Sequence, residues 1–365
     1  MMKSHQIRPV IMIIFSAIIA ACGGGNANNP SPLSSSNPNP DISGHILSVD
    51  EGWLWKMNLG TGRFTKISEA RYRGSKYSLS PAVYKGDEFI LRIRDCLPSG
   101  KSCVVTLDES AIKVGQFDLS GRIRGAVKMS RDRQYVALTI QYGGSIINDT
   151  YLEIYDRNGY LISDERVGTT AVTLHFDWLP DGRLVYSSNY GDRRSIYVTL
   201  PYSAKVERQL SLPSGLEGAI HEVAASPDGK QLAFGLVDES NFAATVATPW
   251  VVNVDGSNFR QLAVDPHAGD DEHTHINNPK WSPDGRWILV KYGGARGGSI
   301  SNPGVLGYLF AVPSDGVKVP LSPGDDSVET SARQIRSYWY SAFFERPGSI
   351  FNSDRWPRMD YDWIP

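Results

Sequence analysis

Apolar and polar positions alternate along most of the chain in short runs bounded by turn residues, as in Tyr151-Leu-Glu-Ile-Tyr155 and Ser195-Ile-Tyr-Val-Thr199. A period of two places successive side chains on opposite faces of an extended strand, so the pattern predicts β-structure throughout and no long helix. The sharpest unit is Asn278-Pro-Lys-Trp281-Ser282-Pro283-Asp284-Gly285-Arg286-Trp287-Ile288-Leu289-Val290. Its Ser-Pro-Asp-Gly centre is a tight turn: proline presets φ, aspartate bonds the local backbone, and glycine accepts a left-handed conformation. Apolar flanks on both sides make it a strand, a turn and a second strand.

The unit recurs at Ala225-Ser226-Pro227-Asp228-Gly229 and Trp178-Leu179-Pro180-Asp181-Gly182, and in weaker form at Met129-Ser130-Arg131-Asp132-Arg133 and Leu79-Ser80-Pro81. Aligned on Ser80, Ser130, Leu179, Ser226 and Ser282, the copies lie 50, 49, 47 and 56 residues apart. Short strands repeating at roughly 50 residues are the signature of a β-propeller blade. Second turns stand at Asn253-Val-Asp-Gly-Ser-Asn258 and Val312-Pro-Ser-Asp-Gly-Val317. The expected fold is all-β, a six-bladed β-propeller of four-stranded antiparallel blades. Five blades run from Tyr77 to Ser322; Gly44 to Ile67 begins another that lacks its inner strand. The C-terminal segment Ser337-Tyr-Trp-Tyr-Ser-Ala-Phe-Phe344 is expected to supply that strand and close the ring, with the final 20 residues dispensable. Strands after Phe344 would make seven blades.

The aromatic-Ser-Pro-Asp-Gly hairpin resembles the repeat of the TolB-like propeller family. The match is closest from Trp281 to Val290 and extends, with decay, over most of the chain from Gly44. It implies the propeller alone, without the α/β domain that precedes it in TolB. It also implies a fold rather than an activity, since such blades serve binding proteins, proteases and lyases alike.

Ahead of the repeats, Lys3 and Arg8 are followed by an apolar run from Val10 to Ala20 and by Ile19-Ala20-Ala21-Cys22. This predicts a signal peptide over residues 1–21, too short for a spanning helix. Its last four residues resemble the bacterial lipobox, which implies that Cys22 becomes the lipidated first residue of the mature chain. Residues 22–43 are mostly Gly, Asn, Pro and Ser and read as a flexible tether, leaving 44–365 for the propeller. Gly23 after the cysteine, where Asp would suggest inner-membrane retention, points to an outer-membrane lipoprotein, periplasmic or surface-exposed. Lys and Arg total 37 against 39 Asp and Glu, with signs interspersed, so neither nucleic-acid binding nor an electrostatic membrane surface is expected. Membrane contact is expected through the lipid alone, and the protein as a monomer. In an exported chain, Cys96 and Cys103 on either side of a Pro-Ser-Gly turn predict a disulfide.

Chain direction sorts the loops onto two faces of the ring. The Ser-Pro-Asp-Gly turns share one, and the longer irregular loops share the other, around the channel mouth, where function is usually placed. Candidate ligand contacts there are Asn189, Tyr190, Arg193, Arg296 and the histidines His267, His273 and His275, with His175 and His221 four and five residues ahead of their blades' turn positions. His-x-His on a strand points both rings the same way, so His221, His273 and His275 are a candidate set for a divalent metal such as Mn or Ca. That His-x-His ahead of Pro-x-aromatic-Ser-Pro-Asp is similar to oligogalacturonate lyases, whose channel holds a His-coordinated metal; here Ile276-Asn277-Asn278 intervene. The leading expectation is a non-catalytic binder of a protein or glycan at the channel mouth, with no cofactor. The alternative is a metal-dependent polysaccharide lyase. Trp178, Trp281 and Trp287 read as core aromatics between blades, and Trp53, Trp55, Trp339, Trp356 and Trp363 as either core or sugar-stacking platforms.

Overall fold

The computed structural model describes residues 41–50, 53–67, 82–84, 88–93, 102–108, 110, 112–143, 148–169, 174–238, 246–266, 274–294, 308–323, 328–335 and 361–364. In chain order the strands begin with β1 (His45–Asp50), β2 (Trp53–Asn58), β3 (Arg63–Lys66), β4 (Ala82–Tyr84), β5 (Glu88–Ile93), β6 (Cys103–Leu107) and β7 (Lys113–Asp118). Next come β8 (Arg122–Met129), β9 (Tyr135–Gly143), β10 (Asn148–Asp156), β11 (Leu161–Thr169), β12 (Leu174–Trp178), β13 (Leu184–Ser188), β14 (Ser195–Thr199) and β15 (Val206–Ser211). Then follow β16 (Ala219–Ala225), β17 (Gln231–Asp238), β18 (Val246–Asn253), β19 (Arg260–Gln261), β20 (Ala263–Val264) and β21 (Thr274–Trp281). The last are β22 (Trp287–Gly294), β23 (Tyr308–Pro313), β24 (Val319–Pro320), β25 (Arg333–Gln334) and β26 (Tyr361–Ile364). No helix occurs among the described residues.

The result is an all-β propeller of antiparallel sheets. Strands β4 to β7, β8 to β11 and β12 to β15 each form a four-stranded sheet in sequential order, and a fourth has the order β26-β1-β2-β3. The fifth is eight-stranded, because β16 to β19 and the set β21, β22, β23 and β25 are joined by one parallel pairing, Ala247 with His275, while β20 and β24 pair separately. Five large sheets are therefore seen where six separate blades were expected. Sheets pack face to face: Leu179, Val185, Ile196 and Val198 of one meet Ile220, Leu232, Phe234 and Val252 of the next.

Each Ser-Pro-Asp-Gly turn is wired the same way. Ser226 Oγ donates to Asp228 Oδ1 at 2.7 Å and accepts the N–H of Gln231 at 2.9 Å, while Asp228 Oδ1 accepts the N–H of Lys230 at 3.1 Å. Ser282 and Asp284 repeat this with Trp287 and Arg286, at 2.6, 2.9 and 3.1 Å. The degenerate copy keeps it through Ser130 and Asp132, but Arg133 stands where glycine does elsewhere and is held at φ 62°. Gly229, at φ 72°, is also sterically fixed, since a Cβ there would lie 2.6 Å from Cδ of Pro180 in the preceding turn.

Ring closure uses the C-terminal region but not the expected residues. Strand β26 pairs antiparallel with β1, His45 opposite Ile364 and Ser48 opposite Tyr361, and so takes the inner position assigned to Ser337–Phe344. That earlier segment lies outside the described residues, as do Cys96, Trp339 and Trp356. Nor is the end of the chain a dispensable tail: Tyr361 and Trp363 are buried against Ile42, Ile46 and Met57, and Ile364 is buried too. The decisive difference is alternation plus partner: Tyr-Asp-Trp-Ile meets an unpaired edge of β1 with one face apolar. Trp363 is thus core, as are Trp178 and Trp281, while Trp55 and Trp287 are half-buried beside it.

Two outcomes test this description. Truncation after Ile335 is expected to open the ring and lower stability by several kcal/mol, given about 3–5 kcal/mol for losing one buried Trp, with aggregation through the exposed β1 edge. A truncated chain that stays monomeric and melts like the parent would disprove the seam. Arg133→Gly is expected to raise stability by up to about 1 kcal/mol, because relief of left-handed strain outweighs the added unfolded-state entropy; chemical denaturation reads the change.

Candidate functional site

The channel is lined by the inner strands β4, β8, β12, β16, β21 and β26, and on the last five the register sets what faces it. The residue just before each turn, Met129, Trp178, Ala225 or Trp281, is buried between sheets, and Trp363 takes the matching place on β26. The indole N–H of Trp178 donates to Lys128 O at 3.0 Å and that of Trp281 to Ala224 O at 3.1 Å, so each tryptophan ties its strand to the inner strand before it. Trp363 donates likewise to Ser43 O at 3.1 Å. One position earlier stand Lys128, Asp177, Lys280 and Asp362, half-buried and turned to the channel, whereas Ala224 on β16 is packed in the core between sheets.

Bulges re-aim the upper part of these strands. The pairing slips between Arg124 and Val127, His221 and Ala224, and Asn277 and Lys280, with Gly125, Glu222 and Asn278 at φ 70°, 55° and 56°. Two are not glycine, and such strain persists only where surroundings over-determine it. Here the two hold each other: the N–H of Asn278 donates to Glu222 Oε2 at 2.5 Å, and Tyr361 Oη donates to Asn278 O at 3.0 Å. The slip on β16 also brings His221 beside His175 on β12, with ring centroids 5.8 Å apart.

At the turn end, Arg131 occupies the place proline has in the other turns. Its guanidinium donates to the carbonyls of Trp178, Ala225, Ser226 and Pro227 at 3.1 to 3.3 Å, tying three successive turns together. Above it Lys128 Nζ pairs with Asp177 Oδ1 at 3.0 Å, and Asp177 Oδ2 accepts the N–H of Ala225 at 2.9 Å. Burial alone would push the Asp177 carboxyl up, but Lys128, Arg131 and the Ala225 N–H together outweigh it and hold it below the usual range. Burial dominates elsewhere. It carries His175 down to about 4, helped by Lys280 and Lys128, so this imidazole is neutral at neutral pH. It also raises Glu222 and Asp362 against the opposing pull of Lys280.

Of the residues singled out in the sequence, His175 and His221 meet in the channel. Asn189, Tyr190 and Arg193 lie on the loop between β13 and β14; the first two are exposed, and Arg193 is half-buried. Arg193 O accepts the N–H of Ile220 at 2.8 Å, which sets this loop beside the strand that carries His221. His275 sits on β21 opposite Gly293, but its side chain, like His267, His273 and Arg296, lies outside the described residues. Of the candidate metal set, only His221 has a described side chain. Among the described residues no three His, Cys, Asp or Glu side chains are grouped to hold a metal ion. Sequence reasoning missed the channel charges Lys128, Asp177, Lys280 and Asp362, and also Glu222 and Arg131. Their signal was available as a constant offset from each turn and as the one Ser-Arg-Asp among Ser-Pro-Asp copies.

No protein-family model and no curated protein matches the chain. Among solved structures it is similar to a protein from Lactobacillus plantarum, at 16% identity over 80% of this chain and 82% of that one, with a TM-score of 0.48. The β-propeller domain of the Trilobed protease from Pyrococcus furiosus is similar at 10% identity over 86% and 83%, with a TM-score of 0.46. An oligogalacturonate lyase in complex with manganese is similar at 19% identity over 68% and 70%, with a TM-score of 0.45. What the chain has in common with them is the propeller fold, which its own antiparallel sheets establish.

Proposed function

We propose that this chain is a lipid-anchored, six-bladed propeller that captures a protein or glycan at its channel mouth and catalyses no reaction. One observation carries the reading: Arg131 ties the turn end across three turns, so a ligand approaches from the opposite end, where the neutral His175 lies beside His221 and the Asn189–Arg193 loop. The groups gathered there suit recognition. Tyr190 is 50% exposed and offers an aromatic face with a polar tip, Arg193 a planar fork, and Asn189 an amide, which are residue types favoured at binding surfaces. No nucleophile stands beside a base among them. The six-blade count treats β16 to β19 and the set β21, β22, β23 and β25 as separate blades that touch at Ala247 and His275. The metal-lyase alternative rests on His273 and His275, whose side chains are not described.

Two experiments test the proposal. Tyr190→Ala combined with Arg193→Ala is expected to weaken affinity for the ligand cross-linked from cell-envelope extracts at least tenfold, about 1.4 kcal/mol or more, while Arg286→Ala on the turn face leaves it unchanged. The opposite pattern would move the site to the turns. Cys22→Ser is expected to release a folded domain into the soluble fraction, since the lipid is the anchor and one basic or apolar patch would not replace it; sedimentation with membranes at high salt would refute the anchor.

A further inference from the structure

Around one level of the ring five of the inner strands carry, in order, Lys128, Asp177, the core residue Ala224, Lys280 and Asp362; no side chain of the sixth, β4, is described. The signs run plus, minus, neutral, plus, minus. The first pair is closed, with Lys128 Nζ on Asp177 Oδ1 at 3.0 Å, and the carboxylate is completed by the N–H groups of Trp178 and Ala225. The second pair is open. Among the described residues the Lys280 side chain makes no ion pair or hydrogen bond, and the Asp362 carboxylate accepts only the N–H of Trp363, at Oδ1, 3.0 Å away. Their strands are nevertheless docked, because Tyr361 Oη reaches Asn278 O at 3.0 Å, and each side chain lies in the electrostatic field of the other. Both are half-buried, so solvent in the channel reaches them.

The geometry points to the open pair Lys280 and Asp362 as a binding site for a small zwitterion of the α-amino-acid type, with its carboxylate on Lys280 Nζ and its ammonium on Asp362 Oδ2. Charge decides the ligand class. A simple anion on Lys280 would stand against Glu222 and Asp362, and a simple cation on Asp362 against Lys128 and Lys280. A ligand carrying both charges completes both partners and adds no net charge to a half-buried site, where such pairings are stronger than in bulk water. On the neighbouring strand Ala224 is packed in the core between sheets, and Glu222 is the charged group whose field reaches Lys280. The bulge locked by Glu222 and Asn278 fixes the strand two residues from Lys280, and so the backbone position from which that side chain extends. This site lies below the mouth, and the inference does not rest on the mouth ligand.

The test is a ligand panel on the folded protein, read by calorimetry and thermal shift: glycine and L-alanine against sodium acetate and methylammonium chloride, alone and mixed. Both amino acids are expected to bind and raise Tm, with acetate and methylammonium at least tenfold weaker. Lys280→Met and Asp362→Asn are each expected to weaken glycine binding at least tenfold. Tyr190→Ala is expected to leave glycine binding unchanged even where capture at the mouth is lost, which separates the two proposals. Absence of binding at millimolar glycine, equal affinity for acetate and glycine, or a Lys280→Met protein that binds like the parent would overturn the assignment. Should a variant fail to fold, the panel on the parent protein decides alone.

Discussion

The seam between β1 and β26 is the contact on which the remaining structure depends. Each sheet of the ring is satisfied on its faces by its neighbours, but the ring is held only where its ends meet, and there the pairing is four residues long. Backbone bonds alone would make that a weak joint. What strengthens it is burial: Tyr361 and Trp363 are withdrawn from water beside Ile46, Met57 and Leu309, Ile364 is buried as well, and burying side chains of this size is worth about 1.5–3 kcal/mol each. The approach is also close. Gly44, at φ 98°, leaves no space for a Cβ, which would stand 2.5 Å from Ile364 O. The seam therefore depends on glycine on one side and on aromatic bulk on the other.

The same register that buries a tryptophan delivers a charge to the channel. Because side chains alternate, fixing Trp178, Trp281 and Trp363 between sheets leaves Asp177, Lys280 and Asp362 no position but the channel. Charges there are costly. A buried ion pair rarely outweighs its own desolvation, and well-packed apolar residues in its place are often as stable. Stability alone thus gives no reason for this level of the channel to carry four charges. The closed pair, Lys128 with Asp177, also has a structural role, since with Arg131 it stitches three successive inner strands through Ala225 N–H and four carbonyls. The open pair has no comparable structural duty.

Legibility in the sequence followed how local each feature is. Ser-Pro-Asp-Gly turns were readable because proline, aspartate and glycine act within four residues, and the recurrence of the turns gave the propeller. His175 and His221 were placed near one another by their distance from the turn, and the bulge at Glu222 supplied the residue by which their offsets differ. The closing strand was misassigned because aromatic density favoured Ser337–Phe344 over a segment of four residues. A better signal was present: Tyr361-Asp-Trp363 repeats Phe176-Asp-Trp178, the same aromatic, channel acid and interblade tryptophan. The channel charges went unseen for a different reason. An isolated Lys or Asp in an alternating strand reads as a solvated face, and only closure into a ring turns that face inward.

Strain, seam and channel are one construction. Glu222 and Asn278 occupy left-handed backbone that neither side chain favours, and such positions relax unless something fixes them. Glu222 fixes Asn278 through its carboxylate, and Tyr361 fixes it again through the carbonyl. Tyr361 belongs to the closing strand. A ring open at β26 would therefore lose one of the two bonds that fix the Asn278 bulge, and with it the position of Lys280 two residues on. The channel is shaped only in the closed ring, because the strand that completes the fold is also the strand that sets its innermost side chains.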